Sequence, residues 1–315
     1  MSTNQVSATA GNPAALGGLT GYLRRRRLAK QSRNMPSRKL RGWQLMARYL
    51  MLVLVAIILL GPLVLPLFVA FKAPGEPAVG QGATLFPQKW SLQAFYTLFE
   101  NDQIPVLQGI VNSLAICAMV VVSHIILASI GGYMLSRRGW TGRNVVYLIV
   151  LSAMIFPFEA IMSSLYEIVF ALDLNDSLFG VALPGMLGPF HLLLMRAAFL
   201  GIPDELEDAA FIDGAGEVRR FFSIFLPQVK GAITIVGLTS FIYAWSDFLW
   251  PLLVLQSVEK KTLTLQLAAL SSSIQGVTYQ EVIAGAIVAM LPIIILFFFA
   301  QKYFFRGIEE GGLKF

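Results

Sequence analysis

Long apolar runs alternate with short polar ones along the chain, and the runs have the length of membrane helices. A helix that crosses a bilayer needs about 20 apolar residues. Residues 49–71 meet that length without a charge. Residues 109–136 meet it with His124 as their only ionisable group. Residues 144–172 carry Glu159 and Glu167, residues 231–257 carry Asp247, and residues 282–300 are strongly apolar. Residues 177–195 are interrupted by Pro184, Gly185, Gly188 and Pro189. The pattern predicts an all-α membrane protein of six transmembrane helices. The fourth span is predicted to be broken or kinked, because irregular backbone inside a membrane is tolerated where it lines a cavity or packs against protein.

Composition agrees. Hydrophobic residues make up 56% and charged residues 13% of the 315, against roughly 25% charged in soluble domains. The net charge of +6 does not point to nucleic acid, because the basic residues flank the spans. Twenty of the 24 Lys and Arg residues fall on one side if six helices alternate. That side holds the basic segment before the first span, Arg137, Arg138 and Arg143, then Arg196, Arg219, Arg220 and Lys230, and finally Lys302, Arg306 and Lys314. Only Lys72, Lys89, Lys260 and Lys261 fall on the other. The positive side is the cytoplasmic one, so both termini are expected in the cytoplasm. Residues 1–43 read as a disordered basic tail and 44–315 as the membrane domain. The basic run at 24–41 either binds anionic headgroups or acts only as a topology signal.

The longest polar stretch in the second half, residues 204–227, carries four acids within 204–208. Pro203 suits a first helical turn, and the acids complement the positive end of a helix. Ala209 and Ala210 keep one face small. Asp213 and Gly214 predict a turn. A second helix is expected from about Ala215, with Val218, Phe221, Phe222 and Phe225 at helical spacing against the bundle and Arg219 and Arg220 left polar. Pro227 closes the segment. The stretch is therefore either a surface helix–turn–helix with a partner or an amphipathic loop without one.

Its spacing resembles the loop that marks the membrane subunits of bacterial ABC importers: E-A-A, three residues, Gly, nine residues, I-x-L-P. Here the pattern reads Asp208-Ala209-Ala210, Gly214, and Ile224-Phe225-Leu226-Pro227. Asp208 stands where the family usually has Glu, one methylene longer. The surrounding IPDELEDAAFIDGA is similar to the carbohydrate-uptake branch, with its maltose-type and glycerol-phosphate-type permeases. SFIYAWSDFLWPLLVL (240–255) resembles the fifth span of that branch, although Ser246 and Asp247 follow Trp245 where Asn is usual. NSLAICAMVVVSHIILASIGGYMLSR (112–137) and the last 32 residues add weaker likeness. The resemblance implies a type I ABC importer permease fold with a coupling loop at about 200–228. In that loop Glu205, Glu207, Asp208, Ala209, Ala210, Asp213, Gly214 and Pro227 would meet a separate ATPase. It also implies a homologous second permease subunit, two ATPase copies that bind ATP–Mg, and an extracytoplasmic solute-binding protein.

No phosphate-binding G-x-x-x-x-G-K-[ST] loop occurs, and neither a catalytic set nor a cluster of metal-ligating residues is apparent. The chain itself is thus expected to hold no cofactor or metal and to catalyse nothing. Ionisable groups inside spans are costly and are candidates for function. Glu159 either lines the path or supports a kink after Pro157. Asp247, with Tyr243 and Trp250, makes an aromatic-and-carboxylate set suited to sugar, if one helix stripe carries all three; the other reading of Asp247 is an interhelical contact. His124 is expected to bond another helix, and His191 and Cys117 to be structural. A self-contained ion-coupled transporter using Glu159 and Asp247 is the competing reading.

Overall fold

The computed structural model describes residues 42–137, 140–272 and 277–312, so nearly all of the expected basic tail lies outside the described residues. All secondary structure among the described residues is helical, apart from an isolated bridge between Lys72 and Trp90. The chain divides into two compact units, residues 1–62 and 63–315.

The first unit contains most of α1 (Gly42–Ala70), whose residues before Pro62 are almost all exposed and apolar. A helix apolar all round is suited to lipid on every face.

In the second unit, α2 (Gln93–Glu100) precedes α3 (Val106–Arg137), the central helix. Its 32 residues span about 48 Å. It is long because nothing interrupts it, and it ends on Arg137, a cation favoured at a helix C-terminus. Small residues let other backbones approach it, as in membrane helix pairs generally. A Cβ on Gly132 would lie 2.8 Å from the amide nitrogen of Arg196 and 2.9 Å from the carbonyl carbon of Met195.

The remaining spans are broken. α4 (Arg143–Ala153) and α5 (Phe158–Ala171) meet at 102°, α6 (Leu178–Gly185) and α7 (Pro189–Leu200) at 46°, and α9 (Glu217–Gln228) and α10 (Lys230–Ser246) at 77°. With each bent pair as one span, and with α1, α3 and α13 (Tyr279–Gly312), the total is six. Proline explains two of the breaks. Pro157 is extended at ψ 138° as it caps α5, and Pro189 opens α7, where its missing N–H costs nothing. The expected break in the fourth span is therefore present. The span inferred over 144–172 turns far more sharply than a kink.

Between α7 and α9 lies α8 (Asp204–Ile212). After α10 come the short α11 (Leu249–Val254), a 3-10 turn at Val258–Lys260, and α12 (Leu263–Ser272). At the α8 end of α3, Tyr133 packs its ring against Phe199, Phe221 and Phe225 with centroids 5.1–5.7 Å away. Cys117 is buried, as expected, with its sulfur 3.8 Å from the Phe241 carbonyl.

Candidate functional site

The polar segment folds as the predicted helix–turn–helix. α8 begins after Pro203, with Asp204, Glu205 and Glu207 in its first turn. Gly214 then turns the chain at φ +69°, a left-handed conformation that glycine adopts without strain. The Asp213, Gly214 and Ala215 amides donate back to the Ala209, Phe211 and Ala210 carbonyls, which closes the helix end. α9 starts at Glu217 rather than at Ala215.

Two expectations about α9 need correction. Phe221 and Phe225 are buried, but Val218 and Phe222 are 71% and 59% exposed. Arg220, expected to stay polar and outward, is only 2% exposed. The cause is a π-helical stretch at Arg220–Phe225. A widened turn shifts the phase of the side chains, and Pro227, which has no N–H to donate, follows directly. Phase is the quantity on which a helical-spacing argument rests.

α8 presents two unlike faces. Ala210 is buried and Glu207 is turned inward, its side chain 18% exposed. Glu205, Asp208, Ala209 and Asp213 are exposed, beside Phe211 at 64% and Ile212 at 87%. Ile212, so open and beside Asp208 and Asp213, is left almost wholly uncovered by the described residues.

The second candidate set lies inside the spans. Tyr243, Asp247 and Trp250 do not share one helix stripe: α10 stops at Ser246, Asp247 is extended (φ −65°, ψ 132°), and Trp250 belongs to α11. Tertiary packing nevertheless brings all three to one small cleft, shared with Phe158 and Val181. Tyr243 is half exposed and feels the charges of both Asp247 and Glu159. Asp247 precedes the N-cap of α11, Phe248, and its carbonyl accepts from the Thr264 hydroxyl at 2.9 Å. Trp250 is buried, with its indole N–H donating to the Val181 carbonyl at 3.1 Å and its ring edge-on to Phe158. Its ring is therefore committed to packing. Glu159 is exposed in the first turn of α5.

His124 bonds another helix, as expected: its Nδ1 lies 2.7 Å from the Ser240 hydroxyl of α10. Its ring stacks on His191 at 4.2 Å, and His191 reaches Thr239 at 3.1 Å. Together these residues join the second, fourth and fifth spans.

Two charged junctions were not foreseen. Arg137 lies within reach of Phe199, Ile202, Asp204 and Glu207; its only sequence signal was a basic residue ending an apolar run, which was read as topology alone. At the other end of α3, Asp176 accepts from the Gln256 and Ser257 amides at 2.9 and 3.0 Å and pairs with Lys260 at 3.1 Å. Burial opposes the Asp176 charge, but these donors and the Ser257 hydroxyl hold the carboxyl well below the usual carboxylate range.

Residues 124–310 match the family described as "Binding-protein-dependent transport system inner membrane component". An arabinooligosaccharides transport system permease protein, AraQ, of Bacillus subtilis is 36% identical over 236 residues, covering 75% of this chain and 83% of that protein. The maltodextrin transport system permease protein MdxG of the same organism is 34% identical over 272 residues, covering 84% and 95%. Among solved structures, a bacterial ABC transporter involved in the import of the acidic polysaccharide alginate superposes with a TM-score of 0.73 at 23% identity, covering 82% of this chain and 95% of that one.

Proposed function

This chain belongs to the family of binding-protein-dependent transport system inner membrane components, and from that premise we propose how it works and what it carries. It is the membrane permease subunit of an ABC importer, and ATP hydrolysis belongs to a separate subunit. The ion-coupled alternative is thereby displaced. We propose that the solute is a sugar or sugar-like molecule, in line with the arabinooligosaccharide and maltodextrin relatives. The chain would form half of the path beside a homologous second permease, with two ATPase copies carrying ATP–Mg.

The observation that carries the coupling role is the outward face of α8. It is a short helix with Ala209 and Ile212 open and acids around them, suited to a complementary groove on the ATPase. We place this end in the cytoplasm, in line with the basic residues that cluster there. Glu159, Tyr243 and Asp247 are proposed to face the solute path, with Trp250 as the buried wall behind them.

Gly214→Val tests the coupling role. A β-branched residue at φ +69° is strained, although space is open around it; left-handed backbone costs such residues about 1–2 kcal/mol. The variant should insert normally, lose most copurifying ATPase, and take up little labelled maltodextrin or arabino-oligosaccharide. Normal copurification and uptake would remove α8 as the docking element.

A further inference from the structure

Four segments meet where α3 ends. The Arg137 side chain is 3% exposed. One of its terminal nitrogens donates to the carbonyl of Phe199, in the last turn of α7, and to that of Ile202, just beyond it. The other donates to Asp204 Oδ1 at 2.7 Å and lies 3.8 Å from Glu207 Oε2. The guanidinium also sits over the Phe225 ring, 4.9 Å from its centre. Arg220 of α9 is sealed to the same 3%. It lies 3.4 Å from Glu217 Oε2 of its own helix, 3.8 Å from Glu207 Oε1 and 4.6 Å from the centre of the Phe211 ring. Glu207 is therefore bracketed, one oxygen to each side, by two buried arginines rooted in different spans.

The arrangement has a mechanical consequence. Apolar contacts can slide, whereas the Arg137 fork, bonded to Asp204 on one side and to the α7 end on the other, fixes direction, and the 3.8 Å ion pairs tie Glu207 to the same cluster. A buried cation also resists separation from its carboxylate, because separation leaves an uncompensated charge. Along the backbone, α8 reaches the fifth span only through the Asp213–Gly216 turn and the π-helical stretch. Through Glu207 it reaches α3 and α9 directly. α3 in turn packs against α6, α7, α10 and α12.

We propose that Arg137 and Arg220, closing on Glu207 from either side, are positioning residues that carry a displacement of α8 into the second and fifth spans. This rests on α8 being the ATPase-docking helix. Ile212, exposed on the opposite side of α8 from the arginines' grip, takes part in docking only; Arg137 takes part in transmission only.

The test uses the whole importer: this chain, its partner permease, the ATPase and the binding protein, purified together. ATPase copurification is measured, with ATP hydrolysis in the presence and absence of the binding protein. Arg137→Gln should retain the ATPase, while stimulation by the binding protein falls about tenfold. Arg137→Gln with Arg220→Gln should cost less than the two single losses combined, because both arginines share Glu207. Ile212→Asp should instead lose the ATPase. Full stimulation in Arg137→Gln, or losses that simply add in the double variant, would overturn the proposal. ATPase loss in Arg137→Gln would also overturn it, by making the arginine part of docking. If Ile212→Asp keeps the ATPase, the docking reading falls and takes the proposal with it. Should Arg137→Gln fail to accumulate, Arg137→Lys keeps the charge and loses the fork, and the same drop is expected.

Discussion

The two ends of α3 are held in different ways. At one end a single arginine, Arg137, donates to carbonyls and to the carboxylates of α8, and two of the ion-pair distances around Glu207 are 3.8 Å. At the other end a single aspartate, Asp176, accepts four donors at 2.5–3.1 Å from residues 256–260. Asn112 of α3 holds the adjoining segment through the Glu259 and Lys261 carbonyls, at 2.8 and 3.0 Å. Asp176 itself sits at φ +49°, a conformation that a short polar side chain tolerates better than most. Both ends satisfy loop backbone with one charged side chain. The Asp176 end is a short-range clamp made to stay shut. The Arg137 end is buried and mixed: its own donations to Asp204 and to the end of α7 are short, the ion pairs to Glu207 are 3.8 Å, and the helix it grips is open on its far side. On the coupling proposal, the clamp holds still while the Arg137 end passes on movement of α8.

Removing either hub should separate the two designs. Arg137→Ala should cost about 3 kcal/mol, near the low end of the penalty for breaking a buried charge pair because Asp204 is open to water and Glu207 keeps Arg220, read as a fall in thermal unfolding temperature in detergent. A loss no larger than a surface pair's would contradict the burial argument. Gly132→Ala should follow at about 1–3 kcal/mol, because its Cβ would press on the backbone of Met195 and Arg196 at 2.8–2.9 Å. Gly109→Ala, at the clamp end, should cost less. There the nearest backbone, that of Leu263, is 3.2 Å away, and the closer atom, at 2.9 Å, is the side-chain Cγ of Gln266. Equal costs at the two glycines would erase this difference.

Asp176→Asn should cost about 1 kcal/mol, since one acceptor oxygen remains and Lys260 is half exposed. Acidification should do least. The folded carboxyl titrates below its unfolded value, so its contribution is complete above about pH 3.9 and is lost only as pH falls through the depressed folded value. Hydrogen exchange at the Ser257 amide should therefore show the same protection, after correction for intrinsic rate, at pH 5 and pH 7. Loss of protection by pH 5 would mean that the clamp is weaker than its donors imply.

Much of this molecule is legible in its sequence, for reasons that are local. Apolar length gives the six spans. Pro189 and Gly188 give the break in the fourth, and Pro203, the acids and Gly214 give α8 and its turn. What is not legible depends on distant partners or on phase. Arg137 meets residues 62–70 positions away, so its sequence neighbourhood records only a basic helix end. The π-helical stretch at Arg220–Phe225 turns Arg220 inward and Phe222 outward, against a spacing that assumes a regular helix. Asp247 ends α10 instead of continuing it. Its cleft with Tyr243 and Trp250 arises from α5, α6 and α11 folding back together, which no stripe on one helix could reveal.

The central claim is that the open face of α8 lies in the cytoplasm and seats the ATPase. Ile212→Cys in a Cys117→Ser background tests it most directly, because Cys117 is the chain's one cysteine and Ile212 is 87% exposed. An impermeant maleimide should label the site in inside-out vesicles but not in intact cells, and saturating ATPase subunit should block the labelling. Labelling from outside intact cells, or labelling that the ATPase leaves unchanged, would contradict the account.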